Sequence, residues 1–255
     1  MGLKIPKILV PVFLLVVFAA AQQTTTGIDQ PTHNMDGMSG MPDAQAGASH
    51  AMHAMESHHM DAGPHMKMTM LRAPQPADQQ RATEIVAQAR QSVQKYQDYR
   101  AALADGYRIF LPNLKQPMYH FTNYRYAFEA AFHFNPEHPT SLLYEKQDDG
   151  YKLIGVMYTA PKNTSEGELN QRIPLSVAQW HAHVNMCIPP RSRRQEMLQP
   201  HPQFGLKGSI STKEECKAAG GTFIPQIFGW MMHMYPFESS QEAIWSVERQ
   251  LHHGE

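Results

Sequence analysis

The stretch QWHAHVN, Gln179 to Asn185, carries the best-spaced donors in the chain. Side chains on a strand alternate faces, so two histidines two positions apart share one face. On that pattern His181, His183, Asn185 and Cys187 point one way, and Trp180, Ala182, Val184 and Met186 the other. At a rise of about 3.3 Å per residue the two His Cβ atoms stand some 6–7 Å apart, convenient for one shared metal ion. Two further candidate strands each offer one His among aromatic and apolar neighbours. They are His120 in MYHFTNYRY and His233 in GWMMHMYPF. An antiparallel sheet could bring His120, His181, His183 and His233 together as a neutral imidazole cluster, which suits Zn, Cu, Ni or Fe. The same four also read as ordinary core and surface histidines, and metal content separates the two readings.

A second donor-rich stretch lies upstream. Between His33 and Met70 there are six His and nine Met. The densest part offers His50, Met52, His53, Met55, His58, His59, Met60, His65, Met66, Met68 and Met70. Thioether sulfur favours Cu(I), and imidazole takes Cu(II) as well. A flexible chain with these spacings could wrap one ion, with copper favoured and zinc possible. Low-complexity drift, with Met tolerated because nothing is packed, is the competing account.

Other polar groups say less. Glu129 and Glu145 end candidate strands; either could act as a general base beside an open metal position, or sit solvated at a strand end. His133 lies near the end of its strand, and His138 and His201 sit beside prolines as loop residues. There is no Gly-rich phosphate loop, no G-x-S-x-G elbow and no His-Glu-x-x-His helix. Cys187 and Cys216 are the two cysteines, and in an exported chain such a pair is expected as a disulfide closing a loop of about 29 residues.

Export is expected from the first 21 residues. Lys4 and Lys7 precede the apolar run ILVPVFLLVVFAA and a small-residue Ala19–Ala21 site, the pattern of a secretory signal peptide. Thirteen apolar residues are short for a membrane span, which needs about 20. Membrane attachment is expected only if that segment stays uncleaved, and the expected address is periplasmic or secreted. A net charge of −1 and a pI near 7.0 argue against nucleic acid, whose backbone calls for a basic surface.

The donors need elements to position them. Residues 22–76 are poor in large apolar residues and read as a disordered His/Met-rich tail. Residues 77–238 hold nearly all the aromatics and read as one domain. Residues 239–255 read as a short terminal helix and tail, capped by Ser239 or Ser240. The domain opens with one long helix from Asp78 to about Ala104, with Ile85, Ala89, Val93 and Tyr96 at helical spacing. Period-two patterning then predicts strands at 107–111, 118–128, 141–145, 152–159, 179–187 and 227–237. KQDDG marks a hairpin turn between SLLYE and YKLIGVMYT. A small helix in STKEECKAAGG is expected, with Ser211 and Glu214 as a capping box. The fold class expected is α+β, one long N-terminal helix followed by a mostly antiparallel β-sheet.

Taken as a series, the helix ending in ADGY, then YHFTN, SLLYE, GVMYT and WHAHVN resembles a group of uncharacterised secreted bacterial proteins. The likeness spans roughly residues 77–235. It implies one exported domain and the pairing of His120 with the His181 strand, and it brings no activity with it. The function expected is an exported, copper-favouring metal-binding protein whose tail captures the ion and whose domain holds a His site. A secreted metal-dependent enzyme using the same cluster, and a non-metal secreted binding or structural domain, are the alternatives.

Overall fold

The computed structural model describes residues 63–246 and Arg249. All of them fall in one compact unit, His59–Glu255. The signal segment, the tail up to residue 62 and the last residues of the expected terminal helix lie outside the described residues.

Residues 63–76 depart from the disordered-tail expectation. Met66–Met68 form an edge strand, β1. Its ordering comes from hydrogen bonds rather than from apolar burial. His65 O accepts from Val184 N at 2.9 Å, and Thr69 N donates to Trp180 O at 2.9 Å. Thr69 Oγ1 accepts from Trp180 N at 3.0 Å, and Arg72 N donates to Leu175 O at 3.0 Å. An open sheet edge offers unpaired backbone groups to any extended segment, whatever its composition.

The expected long helix is three pieces: α1 (Asp78–Val93), a 3₁₀ turn (Gln94–Gln97) and α2 (Tyr99–Ala104). The break falls at Asp98, which is extended (φ −86°, ψ 106°) and accepts from Arg100 N with its side chain. A short carboxylate competes for backbone donors in this way and starts a new helix. The apolar stripe of α1 is as expected, with Ala82, Ile85, Val86, Ala89 and Val93 buried.

The remaining elements are β2 (Arg108–Ile109), β3 (Tyr119–Thr122), α3 (Tyr124–Glu129), β4 (Ser141–Gln147), β5 (Gly150–Ala160) and α4 (Glu166–Arg172). After them come β6 (His181–Ile188), a 3₁₀ segment (Arg191–Leu198), α5 (Lys213–Ala218), β7 (Thr222–Gln226), β8 (Trp230–Met234) and α6 (Gln241–Ile244). The strands form one antiparallel sheet in the order β1-β6-β8-β5-β4-β3-β2, with β7 also pairing β6. The fold is α+β with an antiparallel eight-stranded sheet.

Four local expectations change. The 118–128 strand stops at Thr122, because Asn123 accepts from the N–H groups of Arg125 and Tyr126 and caps α3. Tyr124 and Tyr126 therefore lie on a helix, not on the strand face of His120. The capping box of α5 is Thr212 with Glu215, one residue later than expected. β7 and α4 were not expected. The signal for α4 was present: Ser165 and Glu168 form a capping box ahead of Leu169.

The two sheet faces differ in kind. One carries Phe121, Leu142, Tyr144, Val156, Tyr158, Trp230, Met232, Met234, Trp180 and Ala182, all packed with the α1 stripe into the main core. The other is lined by a smaller cluster, Met118, Leu143, Met157, Met231 and Tyr235. Histidines occupy much of the rest of that second face.

Candidate metal site

The strand register shows which face each histidine occupies, although β3, which carries His120, pairs with β2 and β4 and not with the His181 strand that the resemblance implies. His120 pairs with Leu143, Met157 with His233, and His181 with Met231. Directly opposed residues in an antiparallel pair share a face. With the period-two alternation, His120, His233, His181 and His183 all fall on the face opposite α1. Their rings follow one another across the sheet. Ring centres are 5.5 Å apart for His120–His233, 5.1 Å for His181–His233 and 5.6 Å for His181–His183. Two imidazoles on one tetrahedral ion, with nitrogens at about 2.0–2.1 Å, have ring centres roughly 5 Å apart. The structure thus places the four histidines picked out by spacing on one sheet face, as three neighbouring ring pairs. Among the described residues, no group of three or more His, Cys, Asp or Glu side chains is placed to hold a metal ion.

The surroundings favour neutral imidazole. His181 and His233 are buried, and His120 and His183 are half-buried. Burial, followed by the nearby His65, holds the His183 pKa below its ordinary value. A neutral ring keeps a lone pair for a metal. His120 and His183 also reach the wall of a cavity of about 630 Å³. That cavity is mostly apolar, with Phe110, Leu111, Leu206, Phe228, Met157 and Met231 in its lining, and among the described residues no carboxylate lines it. Its threonines pair with one another or with Ser141: Thr140 Oγ1 with Thr159 Oγ1, and Thr122 Oγ1 with Ser141 Oγ, both at 2.9 Å.

The disulfide Cys187–Cys216 joins the end of β6 to α5 and packs with Phe204 in a third apolar cluster. It anchors the strand that carries His181 and His183. Gly221 approaches it so closely that a Cβ there would overlap Cys187 Sγ.

The upstream donors divide. His50, Met52, His53, Met55, His58, His59 and Met60 lie outside the described residues. His65 is buried and is committed to structure: Nε2 donates to Gly208 O at 2.6 Å, and Nδ1 lies 3.4 Å from Val184 O. Met66 and Met68 join the sheet, opposite His183 and His181. Met70 lies past the strand and is exposed.

A second histidine group was not foreseen as a unit. Glu129 accepts from His133 Nε2 at 3.0 Å and from His138 Nδ1 at 2.9 Å, with Asn135 Nδ2 at 3.4 Å. His138 stacks on Tyr126 at 4.2 Å, the rings nearly parallel. Burial pushes the Glu129 carboxyl up, but the hydrogen bonds from His138, Asn135 and His133 outweigh it and hold the group below its ordinary value. The signal was the i,i+4 spacing of Glu129 and His133, visible only once α3 is a helix rather than a strand. Glu145 is an exposed residue on β4.

Comparison with protein families, with curated proteins and with solved structures finds no match for this chain.

Proposed function

We propose that this is an exported metal-binding protein, with copper the favoured ion, and that the sheet face bearing His120, His181, His183 and His233 holds the metal. The observation that carries the reading is the unbroken run of imidazole contacts at 5.1–5.6 Å on one sheet face. Burial and the lowered pKa of His183 support it, since they keep a ligand unprotonated. Residues 1–21 direct export, and the His/Met stretch up to Met60 collects ions. A tail of that composition captures metal but cannot set coordination geometry, and a sheet face can.

The cavity favours a second reading. A catalytic ion keeps a position open for water or substrate. His120 and His183 stand at the wall of an apolar cavity within the size range of small-molecule sites. That arrangement suits an enzyme in which the same histidines hold a metal facing a mostly apolar substrate.

The test is elemental analysis of the protein purified from cells, before and after incubation with copper and zinc. About one equivalent retained by a chain lacking the segment before residue 63 is expected. Less than about a tenth of an equivalent there sinks the sheet-face site and leaves only the tail.

A further inference from the structure

We propose that the sheet-face site is a mixed imidazole–thioether site for monovalent copper, with Met68 and Met231 supplying sulfur beside His181. The proposal rests on the reading that the imidazoles hold a metal, and it names the ion's charge state and two further ligands.

The register is the starting point. β1 sets Met68 opposite His181 and Met66 opposite His183. β8 sets Met231 opposite His181 from the other side. Met68, His181 and Met231 therefore make one row across three adjacent strands, with side chains on the same face. Directly opposed Cβ atoms in such pairs stand about 4.5–5.5 Å apart, well within reach of a three-bond thioether side chain. A parallel pairing holds one step along, where β5 sets Met157 opposite His233. The two imidazoles nearest the middle of the cluster thus each have a methionine as direct cross-strand neighbour.

Burial points the same way. Met231 is 7% exposed and packs with Met157 and Met118 in the cluster under this face, whereas Met68 is half-buried on the edge strand. Met231 and Met157 also line the cavity that His120 and His183 reach. Apolar residues of similar size would fill the same space, so packing alone calls for no sulfur here. Beside imidazoles, thioethers convert a borderline donor set into a soft one. Soft sets select Cu(I) over the harder divalent ions, and among the described residues no carboxylate lines the adjoining cavity to favour the latter. The chain also joins its two donor pools here: Met66 and Met68 belong to the same His/Met-rich stretch as the tail, yet sit in the sheet.

The test uses the full chain in four forms: wild type, Met68→Leu/Met231→Leu, Met68→Leu alone, and His181→Leu/His233→Leu. Each is titrated without oxygen with Cu(I) against a competing Cu(I) chelator, and separately with Zn(II). The tail is identical in all four, so differences report the sheet. Leu conserves volume and keeps the fold, checked by near-ultraviolet circular dichroism. If the buried Met231 change disturbs folding, Met68→Leu alone carries the test, because Met68 is only half-buried. Expected is a loss of about tenfold or more in Cu(I) affinity for the methionine variants, Zn(II) affinity staying within about threefold. X-ray absorption should show sulfur neighbours around the tightest copper, reduced in Met68→Leu/Met231→Leu. Unchanged Cu(I) affinity in the methionine variants, with loss in the histidine variant, overturns the thioether proposal and leaves the imidazole reading standing. No change in either overturns both.

Discussion

The molecule holds two histidine groups, built on opposite logic. Around Glu129 every ring has a carboxylate or amide partner, His133 is well exposed, and His138 lies flat on Tyr126. On the sheet face the rings are buried or half-buried and run edge to tilted past one another, and His181, His183 and His233 have methionines as cross-strand neighbours. The Glu129 carboxylate occupies ring nitrogens of His133 and His138. Thioethers beside an imidazole make its neighbourhood soft and apolar. Having several histidines close together is therefore not enough to make a metal site. What surrounds the rings sets the donor character that an ion would meet.

The largest effect that separates the groups is on copper. His181→Leu/His233→Leu is expected to weaken binding of the tightest copper by about 1,000-fold, beyond the 10–100-fold typical of changes behind the ligands. His133→Leu/His138→Leu should leave it within about threefold. Competition titration checks both, and equal losses in the two variants would erase the distinction drawn above.

Next comes stability at the end of the ligand strand. Cys187→Ser/Cys216→Ser opens a loop whose ends are 29 residues apart in sequence. Chain-entropy estimates for such a loop put the loss at roughly 3–4 kcal/mol, read from urea unfolding. Copper affinity should fall with it, because His181 and His183 lie on the strand that the bridge anchors. A Cys→Ser chain that keeps full stability and copper affinity would show that β6 needs no such anchor.

A smaller effect belongs to the Glu129 group. Tyr126→Leu removes the stack on His138 and should cost about 1 kcal/mol, with copper binding unchanged. Thermal unfolding and the same titration separate these two readouts.

The smallest is a pH effect. The Glu129 carboxyl is held below its ordinary value of 4.5 by its hydrogen bonds, against the upward push of burial. A carboxylate with a depressed folded pKa contributes stability that is present above its unfolded value and lost as pH falls through the folded one. Glu129→Gln should therefore destabilise near neutrality, and the gap from wild type should close below about pH 4.5. A gap that stays constant into acid would mean that Glu129 acts by packing rather than by charge.

Much of this comparison was legible in the residues themselves. Period-two patterning located the strands of His120, His181 and His233, although Tyr124 and Tyr126, read on the first of them, lie on α3. The α1 stripe and the cysteine pair followed from spacing and compartment. Other parts were hidden for physical reasons. Composition cannot reveal that Met66–Met68 is ordered, because its partners are the backbone groups of β6, more than a hundred residues away. Apolar packing hides the place of Met231 beside His181 until the register shows it. The Glu129 group stayed invisible while 118–128 read as a continuous strand. There Asn123 overrides the aromatic β-propensity of Tyr124 and Tyr126 by capping a helix.

The most direct test of the central claim is crystallographic. Crystals of the copper-loaded full chain are measured at wavelengths on either side of the copper absorption edge. The account predicts an anomalous peak on the sheet face, within bonding distance of His181 and His233 ring nitrogens. Peaks confined to the tail or to the Glu129 group, with none on that face, would contradict it.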